Sequence, residues 1–179
     1  MNYKQALSAP IFEIISKSAE QLGFDSYVIG GFVRDFILDR AAKKDIDIVA
    51  IGSGIELAKR VSKNLPNNPK VQVFKTYGTA MIKFEGIDLE FVGARKESYT
   101  QDSRNPTVEE GTLEEDQNRR DFTINAMAIS LNTANYGELL DPFGGISAVS
   151  YTHLRAHETR GNLVCRLLLE KKNLSLIHI

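Results

Sequence analysis

Cysteine is almost missing from this 179-residue chain: Cys165 stands alone, which excludes a disulfide framework within it. Long apolar runs are missing as well. Nothing approaches the roughly 20 consecutive apolar residues of a membrane-spanning helix, and the opening Met1-Asn-Tyr-Lys-Gln5 lacks the apolar core of a signal peptide. These absences predict a soluble, cytoplasmic protein with no membrane contact. Neither sign of charge is in excess: 22 basic residues face 23 acidic ones, so no bulk field announces a nucleic-acid partner and any such contact must be local. Histidine does not occur in the first 148 residues. His153, His157, His178 and Cys165 all follow them, in a segment from Val149 to Ile179 that carries a net +3 while the remainder carries −4.

What is present is ordinary globular sequence, 42% hydrophobic and 25% charged, long enough for one domain plus a remnant. Residues 6–22 place Ile11, Ile14, Ile15, Ala19 and Leu22 at helical spacings, with Pro10 near the start and Gly23 past the end. Ser26–Gly30 reads as a buried strand entering a double-glycine turn, and Phe32–Leu38 as a helix. Asp45–Ile51 reads as a strand that emerges at one end, 55–65 as a helix, and Val71–Phe74, Thr79–Phe84 and Ile87–Val92 as strands, the last two joined by a Glu85-Gly86 hairpin. From Arg95 to Asn118 apolar residues nearly vanish, which predicts a long mobile loop of the lid type. A helix is expected over Arg119–Ala128, with Phe122, Asn125 and Ala126 on one face, and Glu138–Gly145 as a strand leaving into a turn.

Side chains two apart on a strand share a face, so Asp45 and Asp47 project together, about 7 Å apart, while Ile46 and Ile48 enter the core. Such a pair suits magnesium, which takes oxygen ligands and often only one or two carboxylates plus substrate phosphates; the plain alternative is two solvated acids at a strand start. Gly30 and Gly31 lie upstream at a strand tip, where backbone amides can approach a triphosphate. Arg34, one turn on, either reaches phosphate oxygens or pairs with Asp35 or another carboxylate. Glu90 offers a third carboxylate from a neighbouring strand, with Asp88 on the same face as the less favoured candidate and an exposed acid as the ordinary reading. Arg120 is a triphosphate ligand candidate. Asp121 and Asn125, expected one helical turn apart, either bind ribose hydroxyls and orient the arginine, or serve as N-cap and packing residue.

Together, Gly30-Gly-Phe-Val-Arg-Asp35, Asp45-Ile-Asp47, Asp88-Leu-Glu-Phe-Val-Gly-Ala-Arg95 and Arg119-Arg-Asp-Phe-Thr-Ile-Asn-Ala126 resemble, in order and spacing across about residues 20–146, the head of the class II tRNA nucleotidyltransferase and bacterial poly(A) polymerase family. The resemblance implies an α+β, polymerase-β-like nucleotidyltransferase head with a mixed or antiparallel sheet flanked by helices. It implies Mg2+ as cofactor, CTP or ATP as donor, and an RNA 3′-end, tRNA foremost, as acceptor. By the same resemblance Asp45 and Asp47 hold magnesium, with Glu90 as the third catalytic carboxylate, and Gly31, Arg34 and Arg120 bind the nucleotide. The family continues after its Asp-Pro-x-Gly-Gly turn into a helical neck that selects CTP or ATP, and nothing here resembles that neck. Residues 147–179 read instead as a non-family tail, translated adapter sequence or disordered chain joined to a truncated gene, after a head domain over 1–146. His153 and His157 have a zinc-compatible i, i+4 spacing, but no third ligand accompanies them.

Overall fold

The computed structural model describes residues 2–40, 44–98 and 107–150. Pro10–Leu22 forms α1. Its proline, which has no amide hydrogen to satisfy, opens the helix, and Ile11, Phe12, Ile15 and Ala19 recur on the buried face. Gly23 closes it at φ +69°, where the Phe24 amide donates to the Ala19 carbonyl at 3.0 Å. The helix expected from residue 6 starts four residues later. Ala9, ahead of the proline, is extended (ψ 135°), as pre-proline sterics favour, and Lys4–Leu7 forms a separate 3-10 turn.

β1 (Ser26–Ile29) runs through Gly30 into α2 (Gly31–Ile37), and β2 (Asp45–Ala50) into α3 (Gly54–Asn64), whose N-cap Ser53 accepts from the Glu56 amide at 3.3 Å. β3 (Val71–Phe74), β4 (Thr79–Phe84) and β5 (Ile87–Gly93) follow, with Glu85-Gly86 turning the last two into the expected hairpin. Later in the chain come β8 (Ala128–Ser130) and β9 (Leu139–Leu140). These seven strands form one sheet in the order β3-β4-β5-β2-β1-β8-β9. Only β2 and β5 pair in parallel; the other neighbours are antiparallel. The mixed sheet and its helices make the α+β head that was expected.

The strands' period of two gives the sheet two different faces. Val28, Ile46, Ile48, Leu89 and Phe91 point into the main core under α1 and α3. Tyr27, Ile29, Val49 and Ala128 point the other way, into a smaller cluster closed by Ala94 and Leu113. Asp45 and Asp47 belong to that second face.

The stretch expected as one long loop contains regular structure. Arg95–Ser98 (β6) and Thr107–Glu110 (β7) form a two-stranded ladder, and Leu113–Asn118 is a short helix, α4; residues 99–106 lie outside the described residues. A polar composition concealed α4 because its stability comes from a capping box rather than an apolar stripe. Thr112 Oγ1 accepts from the Glu115 amide (3.3 Å) while the Glu115 carboxylate accepts from the Thr112 amide (2.9 Å). The helix expected over Arg119–Ala128 is not formed. The chain leaves α4 at Arg119, makes a 3-10 turn at Thr123–Asn125 and enters β8. Buried Gln117 fixes that path by donating to the Ala126 carbonyl at 2.7 Å. Phe122 is accordingly exposed and Ala126 buried rather than sharing a face with Asn125. Asp141, after β9, accepts from the Gly145 and Ile146 amides (2.6 and 3.0 Å) and so starts α5 (Gly145–Ser150). The tail expected from residue 147 falls, from 151 onward, outside the described residues. Among the described residues no helix is long and apolar enough to cross a membrane.

α3 lies so close to β5 that a Cβ on Gly54 would sit 2.6 Å from the Val92 carbonyl carbon. Backbone cannot move aside as a side-chain tip can. Gly54→Ala is expected to destabilise the domain by about 1–3 kcal/mol, measured as a lowered urea midpoint with an unchanged m-value.

Candidate functional site

The parallel pairing of β2 and β5 sets Asp45 beside Asp88 and Asp47 beside Glu90. All four therefore rise from one face. Asp88 is engaged by Lys83 of β4, whose Nζ lies 3.2 Å from Oδ2, which leaves Glu90 as the carboxylate facing Asp47. Burial, and then the Asp47 charge, push the Glu90 carboxyl above its usual range against the opposing pull of Arg95. Burial does the same to Asp47; Arg120 opposes it and Asp45 adds to it. Crowded like charge of this kind is what a cation would relieve. Among the described residues no three acidic, histidine or cysteine side chains converge on one point, so the donor set fits an ion shared with a bound ligand better than a closed structural cage.

On the β1 side of Asp47 the chain makes its double-glycine turn. Gly30 has φ +81° and ψ −134°, a conformation that residues with a Cβ avoid. A Cβ there would also stand 3.2 Å from Asp47 Oδ2 and 3.5 Å from Arg120 Nη1. One corner thus gathers Gly30, the start of α2 at Gly31, the Asp47 carboxylate and the Arg120 guanidinium.

Both arginines at this corner are held from behind. Arg34 donates through Nε and Nη2 to the two oxygens of buried Asp35 (2.8 and 3.0 Å) and through Nη1 to Asn125 Oδ1 (2.8 Å). The ion pair weighed as the plain alternative for Arg34 is thus present, and Asn125 sits across the corner from it. Arg120 donates through Nε and Nη2 to Asp116 Oδ2 (3.2 and 3.0 Å), and Arg119 uses the same two nitrogens on Oδ1 (2.9 and 2.6 Å). Asp116 has no exposed surface. It is the residue that sequence reasoning missed. The signal for it was the Thr112-Leu-Glu-Glu115 capping pattern, which starts a helix and puts Asp116 three and four residues ahead of the two arginines. Asp121 does not join the corner as a helical neighbour of Asn125: with no helix there, it lies exposed. Fork-shaped pairing of this type fixes a guanidinium plane; for Arg120 it leaves the Nη1 edge facing Gly30.

The chain is similar to several known proteins. An A-adding tRNA nucleotidyltransferase from Aquifex aeolicus is 46% identical over 121 residues, 68% of this chain and 14% of that protein. A CCA-adding enzyme from Anoxybacillus flavithermus is 35% identical over 149 residues, 82% of this chain and 33% of the relative. A tRNA nucleotidyltransferase solved with a primer tRNA and an incoming ATP analogue superposes with a TM-score of 0.70 at 40% identity, over 80% of this chain and 39% of that one. The chain thus spans well under half the length of each. Residues 26–155 match the model of the poly A polymerase head domain, and the chain belongs to that family.

Proposed function

We propose that this chain is the head of an enzyme that transfers CMP or AMP from CTP or ATP to the 3′-end of RNA, tRNA CCA-end synthesis or repair above all, in the cytoplasm. The observation that carries the reading is the register that sets Asp47 beside Glu90 and within the Gly30–Arg120 corner. Asp45 and Asp47 would hold Mg2+, with Glu90 as the third carboxylate. The ion would supply charge neutralisation at the transferred phosphate and lower the pKa of the attacking hydroxyl. The chain's own part is positioning. Gly30 and Gly31 leave room for a polyphosphate against the backbone, Arg120 and Arg34 present donors to its oxygens, and Asp116, Asp35 and Asn125 hold those arginines in place. Asp121, exposed at the end of the arginine pair, is left for the ribose side of the nucleotide. A second reading follows from the chain's short span relative to its relatives: a nucleotide-binding fragment without transfer activity. It predicts magnesium-dependent ATP binding with no incorporation even after fusion to the missing two-thirds of a CCA-adding enzyme.

The decisive experiment fuses this chain to those remaining domains and supplies magnesium, labelled CTP or ATP, and tRNA lacking its terminus. Incorporation is expected, and Asp45→Ala or Asp47→Ala should reduce it to background with an unchanged circular-dichroism spectrum. Retained incorporation in either variant would overturn the metal assignment.

Arg120→Lys keeps the charge but not the fork that lets one side chain grip Asp116 and still face the corner. Loss of charge-assisted hydrogen bonds worth about 1.5–3 kcal/mol should weaken ATP binding by roughly 10- to 150-fold in a calorimetric titration.

The raised carboxyls also make stability depend on pH. Asp47 and Glu90 hold a proton more tightly folded than unfolded, so their contribution is greatest at acid pH and declines as pH rises from the ordinary carboxylate range through the raised values. Asp47→Asn should therefore melt higher than the parent at neutral pH, with the gap closing on acidification. Added magnesium should raise the melting temperature of the parent and not of the variant.

A further inference from the structure

The carboxylate face has two sides. Gly30 follows Ile29, the β1 partner of Asp47, whereas Glu90 lies on the other side in β5, with β4 and then β3 beyond it. In-line phosphoryl transfer places attacking and leaving oxygens on opposite sides of the phosphorus. With a triphosphate seated in the Gly30–Arg120 corner, the attacking 3′-hydroxyl arrives over β5, and the strand that carries it passes over β4 and β3.

That approach is aromatic and basic. Residues 70–84 contain Lys70, Lys75 and Lys83 and no acidic residue, in a chain whose net charge is −1; Lys83 is paired with Asp88, which leaves Lys70 and Lys75. Phe74 pairs with Thr79, and Thr79 with Val92, two residues on from Glu90. Phe74 therefore stands on the carboxylate face, two strand spacings or about 10 Å across from β5. It is 43% exposed, and Tyr77, in the turn that follows, is 67% exposed. Beside them opens a cleft of about 370 Å³ lined in part by Tyr77, Gly78, Gly93 and Arg95. The charge of Arg95 reaches Glu90, so the cleft adjoins the carboxylates.

We propose that Phe74 and Tyr77, flanked by Lys70 and Lys75, form a stacking track for the single-stranded 3′-end of the RNA acceptor. The inference rests on the nucleotidyl-transfer reading of the site. Aromatic rings accept the face of any base and lysines meet the phosphates between them, the combination used for single strands without sequence preference. A protein segment is the competing occupant. Lys70 and Lys75, in a stretch from 65 to 84 without an acidic residue, favour the polyanion.

The chain has no tryptophan, so Phe74→Trp and Tyr77→Trp each install a lone reporter at an exposed position. Titration with a short single-stranded RNA should quench both saturably, and less at higher salt. The same RNA in duplex form should not quench them. Phe74→Ala and Tyr77→Ala should each weaken binding of the labelled oligomer, read by anisotropy, by about tenfold at unchanged melting temperature. RNA that fails to bind, or that binds while leaving both tryptophans unquenched, overturns the track. Magnesium-dependent ATP binding on the same proteins separates the two readings. ATP binding without quenching removes the track and leaves the transfer site standing, whereas absent ATP binding removes the transfer reading and with it the acceptor role of the track.

Discussion

The parallel pairing of β2 with β5 is the constraint on which the rest of the site depends. It alone puts Asp47 and Glu90 side by side from strands far apart in sequence, and it requires α3 and the β3-β4 hairpin as the connection between them. The pairing cannot slip by one residue. Such a shift would turn Ile46 and Ile48 out of the main core and drive the aspartates into it, and burial of unpaired carboxylates would oppose it strongly. The apolar core under α1 and α3 thus sets the position of the metal-binding candidates: the alternation that buries Ile46, Ile48, Leu89 and Phe91 is the same alternation that turns Asp45, Asp47 and Glu90 to the opposite face.

Behind the Gly30 corner the same device occurs twice. Asp35 and Asp116 are buried carboxylates, each gripping the Nε/Nη2 edge of an arginine; Nη1 of Arg120 is left toward the corner, and Nη1 of Arg34 is held by Asn125. A buried ion pair is weak support for overall stability, but removing one member strands an uncompensated charge. The pairs are better understood as orientation: a side chain with four flexible torsions is fixed before a substrate arrives, so less entropy is lost on binding. That α4 begins with a capping box follows from the same need. Six helical residues are too few to stand alone, and the box, Gln117 and the two arginine pairs fasten them where Asp116 is required.

Most of the sheet was legible because its signals are local. Glu85-Gly86 marked a hairpin, Asp-Ile-Asp-Ile marked a half-buried strand, and Gly30-Gly31 marked a turn that a Cβ would block. The misreadings came where tertiary contacts outweigh composition. Residues 107–118 look like loop because they carry little apolar surface, yet a ladder to β6 and a capping box give them structure. Arg119–Ala128 looks helical, yet Gln117 and the pull of β8 into the sheet divert it into a 3-10 turn. Arg34 and Arg120 stood out by type as candidate anion ligands, but what holds them was not legible: Asp116 lay inside the presumed loop, and the Arg34–Asn125 contact joins residues 91 apart in sequence.

The acidic residues of this face divide by where their counter-charge comes from. Asp35 and Asp116 are the more deeply buried, and the chain supplies each with guanidinium groups. Asp88 has Lys83. Asp47 and Glu90 are part-buried beside one another, and among the described residues neither forms an ion pair within 4 Å; Arg120 and Arg95 act on them only from farther off. A fold that places five cationic groups on three carboxylates of this region and holds them back from two others has left a specific gap in its electrostatics. Filling that gap with lysine or arginine would stabilise the free protein and would occupy the place proposed for a cation shared with a polyphosphate. Unrelieved repulsion at Asp47 and Glu90 is therefore the condition that the proposed exchange of a cation with each ligand requires.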